Sequence, residues 1–217
     1  MKRFTIIIYL LTTFLICQDR SVIFNTGSPD STVGHQIDVD HSVANRINIT
    51  HDYVLEAMVF YMTSENSDEA NVKVSIREDN NGIPGELVSE LSEWNHQVDL
   101  LHPANYNLIV TTDLCIYLDE GNYYWWTIEA GDESTQATWI YSNSPFYNIS
   151  TTEDAGSTWN NQFYYAGSGG IWAEQVFENA TINGDINFDF TVNILDIVYL
   201  VSYILEDSSF NEEQINA

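Results

Sequence analysis

The chain is 217 residues long and carries 32 acids against 6 bases, a formal net charge of −26. After Arg77 there is no Lys or Arg at all, which argues against nucleic acid and anionic membrane surfaces as partners, since holding phosphates requires cations. At 44% apolar and 13% aromatic, the composition supports a packed core rather than a disordered polymer.

Residues 1–20 read as an export signal. Lys2 and Arg3 form a positive start, and Phe4 to Cys17 is an apolar run too short to span a bilayer comfortably. No A-x-A cleavage site follows. Cys17 raises lipid attachment, although Ile16 is bulky where a lipoprotein signal has a small residue. Cleaved export, a lipid anchor and a retained anchor all stay open. Each implies a secreted or cell-surface protein, and the mature chain is expected to carry no transmembrane span.

From residue 22 to residue 180 the pattern is that of short strands. Val54 to Met62 is apolar and β-rich. Asn71 to Arg77 alternates, with Val72, Val74 and Ile76 on one face and Lys73, Ser75 and Arg77 on the other. Asp79 to Gly85 is a dense turn signal. Strands are expected at 86–91, 106–111, 114–118, 123–129, 137–142 and 171–177. Cys115, inside the run Leu114 to Leu118, is expected as a buried core thiol. Many short strands with regular turns and no convincing helical period before Asn193 predict an antiparallel β-sandwich, jelly-roll-like in outline.

Six Trp and thirteen Tyr are many for this length. Exposed rings stack on the apolar face of a sugar, and Trp126, Trp139, Tyr141, Trp159 and Trp172 are candidates for that role. Core packing competes, because alternation along Tyr123-Tyr124-Trp125-Trp126 sends two rings inward. Catalytic signatures are thin. There is no H-E-x-x-H, G-x-S-x-G, P-loop or G-x-G-x-x-G. His35, His41, His51, His96 and His102 are scattered without ligand spacing. With 32 acids, chance carboxylate pairs are certain, so they do not identify a glycosidase.

The most informative stretch is Gly184 to Asp196. Asp185, Asn187, Asp189 and Asp196 occupy positions 1, 3, 5 and 12 of a twelve-residue loop, with the Thr191 carbonyl at position 7. That is the ligand spacing of an EF-hand calcium loop, suited to Ca²⁺ as a hard cation that takes six to eight oxygens. Position 6 is Phe190, where a sharp turn ordinarily requires Gly. A bulky L-residue there costs on the order of 1–2 kcal/mol. The helix from Ile194 to Leu205 is apolar nearly all round. A stripe of Ile197, Leu200, Val201 and Ile204 can pack on the sandwich or on the loop, and Val198, Tyr199, Ser202 and Tyr203 lie off it, available to a partner.

The segment Gly184 to Leu205 (GDINFDFTVNILDIVYLVSYIL) resembles a type I dockerin repeat, a loop-helix half of an EF-hand. It matches that family at Gly184, Asp185, Asn187, Asp189, Val192, Asn193, Asp196, Leu200, Tyr203, Ile204 and Leu205. It departs at Phe190. Dockerins usually carry two such repeats; this chain holds one, over residues 181–205, and residues 206–217 look like the linker that leads to a second. The body, through DNNGIPGELV, GNYYWWTI, ATWIYS and AGSTW, is similar to β-sandwich domains that stand beside anchoring modules in secreted bacterial proteins, which resemble carbohydrate-binding jelly rolls.

These resemblances imply a mainly β, secreted or surface-displayed, non-catalytic protein. Its calcium module would mediate assembly or anchoring through a cohesin-like or surface-anchoring partner. An accessory carbohydrate-binding component of polysaccharide breakdown is the alternative reading, and a glycoside hydrolase fragment a third.

Overall fold

The computed structural model describes residues 20–64, 69–100, 106–144, 146–176, 194 and 196–198. The chain divides into two compact units, Met1–Val176 and Phe177–Ala217.

The first unit is mainly β. Its strands in chain order are β1 (Arg20–Gly27), β2 (Pro29–Ile37), β3 (Ser42–Asn48), β4 (Tyr53–Thr63), β5 (Glu69–Asn80), β6 (Ile83–Leu87), β7 (Glu93–Asp99), β8 (Tyr106–Val110), β9 (Tyr117–Leu118), β10 (Tyr123–Ala130), β11 (Ala137–Ser142), β12 (Tyr147–Thr152), β13 (Asn160–Tyr164) and β14 (Gly169–Gln175). They form two antiparallel sheets. The first runs β1-β14-β4-β11-β2, with β8 and β9 also paired to β4; the second runs β13-β12-β3-β10-β5-β6, with β7 paired to β5.

The inward faces of both sheets share one core. On β5 the alternation works as predicted, with Val72, Val74 and Ile76 buried. On β10 it sends Tyr124, Trp126 and Ile128 inward. Trp126 meets Phe60 of the first sheet at 6.4 Å and Trp139 at 5.0 Å, both edge-to-face. Each such ring buries about 150–250 Å² and dominates the core around it. Close approach explains one glycine: a Cβ on Gly167 would sit 2.1 Å from the Trp139 ring.

On β4, Leu55 pairs with Ala173 and Ala57 with Trp172, leaving Glu56 unopposed in a bulge. Beyond the bulge, Met58, Phe60 and Met62 face the core, and Val59 and Tyr61 face outward. The apolar run that marked this strand therefore served both faces. Across the same outer face stand exposed Val22, Tyr106, Leu108, Val110 and Tyr117.

Several sequence expectations need correction. Cys115 is exposed, at φ 48°. Leu114 N–H closes a turn to the Thr111 carbonyl, so regular pairing begins only at Tyr117, and Ile116 takes the buried place. The turn expected over residues 79–85 is only Asn81-Gly82, both at positive φ, and β6 occupies Ile83–Leu87 rather than 86–91. β1, β2, β3, β7, β12 and β13 went unpredicted, because polar residues stand on both faces of most of them.

In the second unit, Ile194, Asp196, Ile197 and Val198 are helical, in the segment where a helix was expected.

Candidate binding site

The outer face of the second sheet is built in cross-strand rows. One row runs Phe163 of β13, Asn148 of β12, Arg46 of β3, Trp125 of β10 and Arg77 of β5. Phe163 pairs with Asn148, and Trp125 pairs with both Arg46 and Arg77. The pairing of Ile149 with Asn45 sets Asn148 beside Arg46. The next row is small: Ser150, Ala44, Thr127 and Ser75 are all fully buried. The hydroxyls of Ser150 and Thr127 have no hydrogen-bond partner.

This face is concave. Asn161 of β13 donates its side-chain amide to the Gly82 carbonyl in the β5–β6 turn. Three strands stand between β13 and β5, so a flat sheet would hold them roughly 19 Å apart at the usual strand spacing. The contact is possible only because the sheet curls over its outer side. Beneath it lies a pocket of about 250 Å³ lined by Arg46, Gly82, Trp125, Asn148, Ile149, Asn161, Gln162 and Phe163.

Charge at the site is compensated. Arg46, Lys73 and Arg77 all lie on this face, half of the six bases in the chain. Arg46 Nε reaches Asp79 at 3.0 Å, and Arg77 reaches Glu129 at 3.1 Å and Glu93 at 3.9 Å. Lys73 lies 3.8 Å from Glu93. Asp79 also accepts the Trp125 indole N–H at 2.7 Å and the Gly82 N–H at 2.9 Å. The Arg46 guanidinium lies 4.0 Å over the Tyr123 ring, a favourable cation–π distance. Trp125, only 1% exposed, is held from both sides and forms the floor.

An aromatic ridge adjoins the pocket through Phe163, which is 67% exposed. Phe146 lies 6.0 Å from Phe163, 6.1 Å from Tyr164 and 4.8 Å from Tyr165. Tyr141 continues the ridge, 5.9 Å from Tyr164 and 5.5 Å from Tyr165. His35 closes it, 4.7 Å from Tyr141, and its Nε2–H donates to the Tyr165 carbonyl at 2.7 Å. Burial pushes the His35 pKa below 6.5 and the Tyr141 pKa above its usual 10. Phe146, Phe163, Tyr164 and Tyr165 are all exposed, a concentration of rings that ordinary soluble surfaces avoid.

Of the five aromatic residues singled out from the sequence, Tyr141 stands on this ridge. Trp126 and Trp139 are corrections: both are 0% exposed and fill the core, so neither offers a face to a sugar. Trp159 is half-buried before β13, and Trp172 is half-buried on the outer face of the first sheet, between Val22 and Ala57. The structure does not bring these five together. Sequence reasoning missed Phe146, Phe163, Tyr164, Tyr165, Arg46, Asn148, Asn161 and Gln162. The run Asn160-Asn-Gln-Phe-Tyr-Tyr165 sets three consecutive rings beside polar residues, but consecutive rings are no signal by themselves, since Tyr124, Trp125 and Trp126 of β10 are all buried.

Asp196 is 2% exposed and engaged in an interaction, and Val198 is exposed, as is Ile194; Ile197, expected on the packing stripe, is a correction, since it is exposed too. The other expected calcium ligands, Asp185, Asn187, Asp189 and Thr191, lie outside the described residues, as do Tyr199, Ser202 and Tyr203. Among the described residues, no group of three or more His, Cys, Asp or Glu is placed to hold a metal, and no helix is long and apolar enough to cross a membrane.

Comparison with models of known protein families finds no match, and comparison with curated proteins finds none either.

Proposed function

We propose that the protein is an exported, non-catalytic binding component. Its β body holds a glycan on the curled face of the second sheet, and its C-terminal dockerin-like loop and helix, a half EF-hand, attach it through calcium to a cohesin-like or surface-anchoring partner. One observation carries the glycan part: exposed Phe163 joins an amide-lined pocket to a ridge of exposed rings. Sugars present apolar C–H faces and directional hydroxyls together. Rings meet the first, and Asn148, Asn161 and Gln162 can both donate to and accept from the second. The assembly part is supported by the oxygen spacing of Asp185, Asn187, Asp189 and Asp196 in the sequence.

Native electrophoresis of the full chain through gels containing soluble polysaccharides tests the glycan reading. Retardation by at least one polymer is expected, unchanged by a calcium chelator. Normal mobility in every polymer of a broad panel would end it.

A further inference from the structure

We propose that the ligand of this site is an uncharged glycan and that the site rejects acidic ones such as polyuronates. This rests on the glycan-binding reading above and narrows it to a substrate class. The argument begins with Arg46, the cation lining the pocket. A lone guanidinium in a sugar site would be a ready partner for a uronate carboxylate. Here it is already neutralised: Arg46 Nε holds Asp79 at 3.0 Å. Asp79 is fixed in turn by the Trp125 indole N–H and the Gly82 N–H, so it cannot swing aside without breaking the floor and the turn together. The guanidinium is also stacked on the Tyr123 ring. What remains is a polar donor surface with no net charge.

The other groups that line the pocket are neutral: amides of Asn148, Asn161 and Gln162, and the rings of Trp125 and Phe163. The ridge beyond it is neutral too, since His35 is held in its uncharged form by burial. Around the site stands a chain with net charge −26. Its field repels polyanions over about a Debye length, roughly 8 Å at physiological salt. Nothing at the site offsets that repulsion, whereas ring stacking and amide hydrogen bonds to a neutral sugar are indifferent to it.

The test uses the full chain and pairs of polymers that differ in charge alone as nearly as chemistry allows. Each neutral polysaccharide is compared with the same polymer after its C6 hydroxyls have been oxidised to carboxylates. Gel affinity is measured at about 20 mM and about 500 mM salt, where the Debye length falls from roughly 20 Å to 4 Å. A neutral polymer should bind at least about tenfold more tightly than its oxidised form at low salt, with the gap narrowing at high salt and neutral binding unchanged. The D79N variant, checked for an intact melting transition, uncovers the Arg46 charge and should gain affinity for the oxidised polymer. Oxidised polymer bound as tightly as neutral at low salt would overturn the inference while leaving glycan binding intact. A gap that salt does not change would overturn it also, since loss of the C6 hydroxyl rather than charge would then be the cause. Failure of both polymers to bind would instead remove the glycan reading, and the inference with it.

Discussion

Trp125 donates its indole N–H to Asp79 at 2.7 Å, joining β10 to the end of β5 on the outer face of the second sheet. Asp79 also takes Arg46 and the Gly82 N–H, so one carboxylate fixes the floor of the pocket, its cation and the turn that closes over it. Asp79→Ala leaves a largely buried guanidinium and an indole N–H without their acceptor. The expected loss is about 2–4 kcal/mol of unfolding free energy, read from urea denaturation. Asp79→Asn, which keeps one acceptor oxygen, should lose less. Equal stability of wild type and Asp79→Ala would show that the three contacts do not hold the turn.

Trp126 and Phe163 separate core from site. Trp126→Ala removes the ring that meets both Phe60 and Trp139 and should cost about 3–5 kcal/mol. Phe163→Ala touches an exposed ring and should change stability by no more than about 0.5 kcal/mol. Urea denaturation of the two variants measures both.

Stability should fall as pH drops below about 6.5. Burial holds His35 and His96 below 6.5 in the folded protein, so the unfolded chain takes up their protons first. Their contribution is complete above 6.5 and is lost as pH falls through the lowered folded values. Asp38, Asp154 and Asp132, the last lowered to about 2, act in the same direction but only below their ordinary 3.8. Glu174 acts the other way: burial and the nearby Glu56 raise it above 4.5, so its contribution fades as pH rises through that range. Thermal melts at about pH 7.5 and pH 5.5 should differ in wild type and differ less in His35→Gln. An unchanged gap in the variant would remove His35 from the account.

The fold was legible where apolar residues on one face of a strand alternate with polar residues on the other, even though Ser75 is itself buried. Lys73, Ser75 and Arg77 alternate with Val72, Val74 and Ile76, and β5 could be read directly. β3 could not, because Val43, Ala44, Asn45 and Ile47 are all buried, and no two-residue rhythm survives. β13 failed for the opposite reason: each of its residues is exposed. The site inherits that problem. Counting tryptophans pointed to Trp126 and Trp139, yet the largest rings are the ones the core takes first, and the exposed rings of the ridge are Phe163 and Tyr164 on edge strand β13 with Phe146 and Tyr165 outside the strands. Nor does the sequence announce that Gly82 and Asn161 meet, since that contact depends on how far the sheet curls.

The C-terminal loop makes its own prediction. Asp185, Asn187, Asp189 and Asp196, with the Thr191 carbonyl, should bind one Ca²⁺ with a dissociation constant of roughly 10⁻⁵ to 10⁻³ M, typical of weaker extracellular sites. Phe190→Gly removes the bulky side chain from position 6, where an EF-hand loop calls for a left-handed residue, and should tighten binding by about five- to thirtyfold for the 1–2 kcal/mol expected there. Asp185→Ala should abolish it. Calorimetry on the full chain and both variants is the measurement, and the absence of calcium heat at millimolar metal would leave the segment a turn and a helix without a metal role.

The most direct test of the binding site compares two aromatic surfaces on one body. A Phe163→Ala, Tyr164→Ala double variant strips the ridge beside the pocket, and a Tyr106→Ala, Leu108→Ala double variant strips the exposed outer face of the first sheet. Both are run through gels containing the polysaccharide that retards wild type. The first should lose about tenfold or more in affinity, and the second should match wild type. Loss in the second variant with the first unchanged would place glycan binding on the first sheet and contradict the site described for Phe163, Asn161 and Arg46.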